Sequence, residues 1–221
     1  MTSTTQAEKR PLRADAERNR RRILDGAQLA FKERGLGVSM DEIAERSGVG
    51  VGTVYRRFPE KELLIHALFE DRLEEFVVNG EEALAMDDAF EGLAFFIETG
   101  ARQHGENRAL KEILFTDGAN REWLDRFRST MIPLVQELLE NAKASGQLRQ
   151  DIETYDVPLI ELMLATVFEF SPDGNPDAWK RMLGIVLDGL RADGGAPTAL
   201  ESEAFTHEEF VDALTVCKFS D

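Results

Sequence analysis

Ile23, Leu24, Ala27, Ala30 and Phe31 recur at the three- and four-residue spacing of a helix that buries one face. The pattern predicts a helix that opens near Asp15, whose carboxylate can accept from the free amides of a first turn, and closes at Gly35 and Gly37. Ser39 and Glu42 then stand at the spacing of a capping box, hydroxyl reaching forward and carboxylate reaching back. The short helix they start turns Met40, Ile43 and Ala44 inward and ends at Gly48. A third, briefer helix is predicted over about 51–57, with Val49, Val54 and Phe58 facing a small core. Pro59 suits the boundary before a fourth helix, from Glu60 to about Asn79, whose apolar positions are Leu64, Ala67, Leu68 and Phe76.

Downstream, the same periodicity predicts helices at about 87–104, 107–116, 120–145, 155–170, 177–192 and 206–217. Turn residues separate them at Gly105, Gly118, Ser145-Gly146, Ser171 to Pro176 and Gly194 to Pro197. Few stretches alternate with period two, so the expected fold class is all-α with no sheet. The longest apolar run, "VPLIELMLATVFEF" at 157–170, is interrupted by Glu161 and Glu169 and falls short of the roughly 20 residues of a membrane span. Met1 to Arg22 is polar and basic and does not read as a secretory signal.

Two predicted short helices flank "ERSGVGVG", a tight glycine-containing turn, which makes a helix-turn-helix. Residues 48–58, "GVGVGTVYRRF", raise two possibilities: a phosphate cradle or a nucleic-acid contact. The cradle fails on spacing. No Gly-Lys-Ser/Thr follows at the interval a phosphate-binding loop needs, and a helix precedes the glycines where the dinucleotide fingerprint needs a strand. For recognition the small residues make sense. Gly50 and Gly52 let the backbone approach a surface closely while Thr53, Tyr55 and Arg56 project outward, and helix N-termini favour phosphate.

Charge sharpens this division. The 221 residues carry a net charge of −16, yet residues 1–66 hold 13 Lys/Arg against 10 Asp/Glu, a net of +3, and residues 67–221 hold 13 against 32, a net of −19. A basic module suited to a polyanion therefore precedes an acidic one that is not. The lone Cys217 cannot form an internal disulfide, which fits a reducing, cytoplasmic compartment.

The stretch "RRRILDGAQLAFKERGLGVSMDEIAERSGVGVGTVYRRFPEKELLIHAL", residues 20–68, resembles the DNA-binding domain of the TetR family of bacterial transcriptional regulators. The features agree in order: "IL..A...F...G", then "S.DEIA...GVG.GT.Y..F..K..L". The resemblance implies an all-helical homodimer, each subunit with a three-helix DNA-binding domain and a larger helical ligand-binding and dimerisation domain. It divides the chain into a flexible basic arm at 1–15, a helix-turn-helix domain at 16–62 and the larger domain at 63–221. It also implies a repressor that a small-molecule effector releases from a palindromic double-stranded DNA operator.

Carried over by position, the recognition helix holds Val51, Gly52, Thr53, Tyr55 and Arg56; Thr53 and Tyr55, like Ser39 and Lys61, stand at positions that resemble phosphate-backbone contacts. Arg56 is the candidate base reader, because arginine bonds bidentately to guanine. Val51 and Gly52 stand where some members carry larger polar readers, so specificity is expected to lean on Arg56, on DNA shape or on the arginines of the arm.

Beyond residue 80 no motif stands out. Phe95, Phe96, Phe115, Trp123, Phe127 and Met131 are candidate lining for an apolar effector pocket, with Glu98, Arg102, His104, Asn107 and Arg108 as polar groups among them. Segments 157–170 and 178–190 are apolar on more than one face, as two helices of a four-helix dimer interface or of a buried core would be. His66, His104 and His207 are far apart in sequence and lack ligand partners at metal spacing, and no nucleophile has a base beside it. No catalytic residue, metal or cofactor is therefore expected. Two rivals remain: a helix-turn-helix regulator controlled by a protein partner or by no ligand, and a helical enzyme with an incidental helix-turn-helix.

Overall fold

A computed structural model describes residues 5–106, 121–170, 175, 177–192 and 205–209. The described elements are helices, joined by one isolated antiparallel bridge between Leu148 and Arg191. They are α1 (Thr5–Arg34), α2 (Met40–Ser47), α3 (Val51–Arg57), α4 (Lys61–Leu84), α5 (Ala89–Glu106), α6 (Arg121–Ala144), α7 (Asp156–Glu169) and α8 (Trp179–Leu190), with a 3-10 turn at Gly35–Gly37. The chain forms two compact units, Met1–Arg72 and Leu73–Asp221, and the division falls within α4. Among the described residues no helix is long and apolar enough to cross a membrane.

In the first unit, Ile23, Leu24, Ala27, Ala30 and Phe31 of α1, Ile43 and Ala44 of α2, Val54 of α3 and Leu64 of α4 are all buried, and α2 packs on both α1 and α3. α1 opens at Thr5 rather than near Asp15. The preceding stretch is rich in Ala, Glu, Lys, Arg and Leu, strong helix formers that carry the helix back through Asp15. Asp15 pairs with Arg18 one turn on instead of capping. The crossing of α1 over α2 is tight at Gly26, where an added Cβ would stand 2.8 Å from the Cα and backbone nitrogen of Ser47.

In the second unit, the expected helices at 87–104, 120–145, 155–170 and 177–192 appear as α5 to α8 within two residues at each end. The expected helix at 107–116 and most of that at 206–217 lie outside the described residues. α4 continues past Asn79 to Leu84 because Gly80 does not stop it. A Cβ there would lie 2.8 Å from Cγ of Leu134, so the glycine is the place where α6 approaches α4. α5 meets α7 the same way: a Cβ at Gly100 would stand 2.5 Å from the carboxyl carbon of Glu161, and one at Gly105 2.5 Å from Phe168 Cδ1. Arg149 donates its amide to Leu190 at 3.0 Å and Ala192 donates to Gln147 at 2.8 Å, which fastens the end of α8 to the turn after α6.

Candidate nucleic-acid interface

Ser39 caps α2 as expected. Its hydroxyl accepts from the Glu42 amide at 3.3 Å, and its own amide and hydroxyl donate to Glu42 Oε2 at 2.9 Å each. These bonds from Ser39, with Arg34 alongside, hold the Glu42 carboxyl below the usual carboxylate range. The carboxylate form is the one that caps, so the box stabilises α2 above that range and weakens as pH falls through it. Ser39→Ala is expected to destabilise the first unit by about 1 kcal/mol, read as a lower denaturant midpoint with unchanged slope.

Gly48 ends α2 in the left-handed region, φ +60°, where glycine is free of the Cβ penalty. Its amide reaches the Glu45 carbonyl at 3.1 Å and the Val49 amide reaches Ala44 at 3.2 Å. Arg22 donates to the Gly48 carbonyl at 2.6 Å and locks the turn to α1. Gly50 then opens α3 without a side-chain cap, its carbonyl accepting from Thr53 at 2.7 Å. Seven residues make too short a helix to stand by propensity alone. Val54 and Phe58, both buried, pin α3 to the core of the unit.

That anchoring decides which face is free. Val51, Gly52, Tyr55 and Arg56 are exposed, with Val51 at 42% and Tyr55 at 46%, and a Cβ at Gly52 would meet nothing within 4 Å. Positions i, i+1, i+4 and i+5 share one side of a helix. Thr53 lies off this face, half-buried, and its hydroxyl accepts from Arg56 Nη2 at 3.1 Å. The residue thus orients the guanidinium. Arg57 points elsewhere, 3.8 Å from Glu17.

Lys61 has a structural task in this state. Its ammonium donates to the Leu36 carbonyl and lies 5.8 Å from the centre of the Phe31 ring. Arg20 and Arg21 meet Asp71 at 3.3 and 3.4 Å. Arg46 meets Glu33 at 2.5 Å, and that bond depresses the Glu33 carboxyl. Much of the basic charge counted along the sequence therefore holds the head together, and the face of α3 presents Arg56.

The comparisons with known proteins agree with this geometry. Residues 23–68 match the family model "Bacterial regulatory proteins, tetR family", and residues 88–192 match "Transcriptional regulator SbtR-like, C-terminal domain". A TetR transcription regulatory protein from Mycobacterium vanbaalenii is 34% identical, with 82% of this chain and 99% of that one covered at a TM-score of 0.62. The chain belongs to the TetR family of transcriptional regulators. A TetR regulator from Streptomyces coelicolor is 28% identical over 81% of this chain and 99% of its own, at a TM-score of 0.60. Curated helix-turn-helix regulators of Staphylococcus aureus are 38% identical over 69 residues, and the match spans 37% of their length.

In this TetR-family chain the expected pocket residues divide. Phe96 and Met131 are buried, and Phe95 and Phe127 are half-buried. Phe127 meets Phe76 edge to face at 5.8 Å. Phe115 lies outside the described residues, as does the side chain of Trp123, which belongs to α6. His66 faces Glu70 at 3.7 Å one turn along α4. The periodicity did not single out Glu161, which is buried against His104 at 3.6 Å. The available signal was a charge inside an otherwise apolar run, which demands a partner.

Proposed function

We propose that this TetR-family chain is a homodimeric repressor that reads a palindromic DNA operator through the exposed face of α3 and leaves it when a small-molecule effector binds the second unit. The observation that carries the reading is the α3 face itself. Its front is stripped to Val51 and Gly52, and Tyr55 and Arg56 stand beyond them without burial. A surface of that shape lets backbone come close to a duplex, where Tyr55 and Ser39 position on phosphate and Arg56 reaches a base edge. Lys61 adds a phosphate contact once it leaves the Leu36 carbonyl.

The dimer reading rests on α7 and α8. Met163 is half-exposed, Phe170 is 81% exposed and Ile185 is 56% exposed. Gly184 and Gly189 flank Ile185 with open space above them, so a second pair of helices can approach closely. Two copies of α7 and α8 related by a two-fold axis would cover these side chains and set two heads on successive half-sites. Effector binding then favours a spacing of the heads that no longer fits those half-sites, to the extent that the effector prefers that state.

Binding of Tyr55→Ala and Arg56→Ala chains to a selected operator and its single-base variants tests the assignment. Tyr55→Ala is expected to weaken all sequences alike, by roughly tenfold. Arg56→Ala is expected to cost about 1–3 kcal/mol and to flatten the preference at one base pair per half-site. Operator affinity and preference unchanged in both variants would refute the assignment of α3.

A further inference from the structure

Inside the second unit, α5 and α7 carry buried polar atoms that no described residue pairs. Gly100, Gln103 and His104 lie at i, i+3 and i+4 on α5 and so share a face. Glu161 of α7 lies against that face, its carboxyl group occupying the space a side chain at Gly100 would need. Glu161 and His104 are each 4% exposed and Gln103 9%. Their only mutual contact among the described residues is His104 Nε2 to Glu161 Oε2, at 3.6 Å, too long for a good hydrogen bond. Glu161 Oε1, His104 Nδ1 and Gln103 Oε1 are all buried without a hydrogen-bond partner among the described residues.

An isolated flaw of this kind weakens a fold, and three on the facing sides of two helices mark a site built for something other than stability. The chemistry of the orphans says what they want. A carboxylate oxygen and an amide oxygen only accept. An imidazole that turns its Nε2–H toward Glu161 leaves Nδ1 as an acceptor on the far side of the ring. Burial pushes the Glu161 carboxyl above its usual range, and His104 acts on it in the opposite direction. The surroundings are aromatic: the Phe76 ring centre lies 5.5 Å from that of His104, Phe127 borders Phe76, and Phe96 is buried one turn before Gly100.

We infer that Gln103 and Glu161, with His104 beside the Glu161 carboxyl, form the polar end of the effector site and take the protonated amino group of an apolar amine. The Glu161 and Gln103 oxygens and one negative charge match an ammonium with several N–H donors, and the phenylalanines receive its hydrocarbon body. A carboxylate ligand would set two negative charges together. A quaternary ammonium would bring the charge without the donors. This inference rests on the reading of the second unit as the effector-binding one, and it narrows the effector to a class.

The test is calorimetry of the full chain with n-decylamine, n-decanol, sodium decanoate and decyltrimethylammonium, which share one alkyl length. Decylamine is expected to bind at least tenfold more tightly than each of the others. Glu161→Gln is expected to weaken decylamine at least tenfold and to leave decanol within about twofold, a contrast that general loosening of the fold does not produce. Gln103→Met, which keeps the volume and removes one acceptor, is expected to weaken decylamine about threefold to tenfold, so the proposal stays testable if Glu161→Gln fails to fold. Decanol or decanoate binding as well as decylamine, or decylamine binding unchanged in both variants, would overturn it. If the chain binds an operator and another compound releases it while decylamine does not bind, the amine site falls and the proposed function stands. If decylamine binds with the expected dependence on Glu161 but leaves operator affinity unmoved, the amine site stands and the release mechanism falls.

Discussion

A chain carrying Gly26→Ala is expected to lose operator binding while its second unit stays folded. The added methyl would sit 2.8 Å from the Cα and backbone nitrogen of Ser47, a separation that real Cβ atoms do not reach. Ser47 cannot turn aside. It is buried, and its hydroxyl is committed to the Ile43 carbonyl at 2.6 Å. The backbone of α2 must therefore move away from α1, and Ile43 and Ala44, both fully buried, move with it. Overpacking of this kind costs about 1–3 kcal/mol. For a unit of this size that lowers the melting temperature by roughly 5–20 °C. The larger effect is on recognition, because α3 has no side-chain cap of its own and takes its position from α2 and from buried Val54. Thermal unfolding followed by circular dichroism, beside operator titration, checks both parts. A variant with native melting and native affinity would show that the α1–α2 crossing is looser than described.

Ile185→Asp is expected to give a monomer at micromolar concentration and an operator affinity at least a hundredfold lower. In a single chain Ile185 is 56% exposed, so a carboxylate there is solvated and the fold of the protomer is untouched. In the proposed dimer the same position is covered by the partner, where an unpaired charge costs several kcal/mol. Losing the second head removes half of the DNA contacts and the linkage between them. Light scattering and operator titration on one preparation measure both effects. A dimer that persists with wild-type affinity would place the interface elsewhere.

Local rules carried far in the first unit. Ser39, Glu42 and Gly48 start and stop α2 through bonds made within a few residues, so their spacing alone reveals the element. Val54 and Phe58 were legible as inward positions and Tyr55 and Arg56 as outward ones, because one face of a short helix must pay for its burial. Thr53 was harder. It precedes the buried Val54 and sits off the free face, where its hydroxyl serves Arg56 rather than solvent. Lys61 shows the same limit. Its hold on the Leu36 carbonyl joins residues 25 apart in sequence, and no periodicity encodes it.

The second unit was less legible where its chemistry lies. The helices follow from periodicity, and their ends from turn residues. Gly80 stands just past the expected end of the fourth helix, yet it lies inside α4 where α6 comes close, and Gly100, inside the expected helix at 87–104, marks where α7 comes close. Glu161 announces itself as a charge in an apolar run, but its neighbour His104 stands on a different helix, 57 residues earlier. Pairings of that kind are set by the packing of helices and not by spacing along one of them.

In the proposed complex α3 is the reading element of a two-fold dimer. The most direct measurement is selection of the DNA bound by the full chain from a random duplex pool. The predicted result is an enriched palindrome whose half-sites lie about one helical turn, or a multiple of it, apart, and whose preference at one base pair per half-site is lost with Arg56→Ala. A pool without enrichment, or one enriched for a single asymmetric site that Arg56→Ala leaves unchanged, would contradict it.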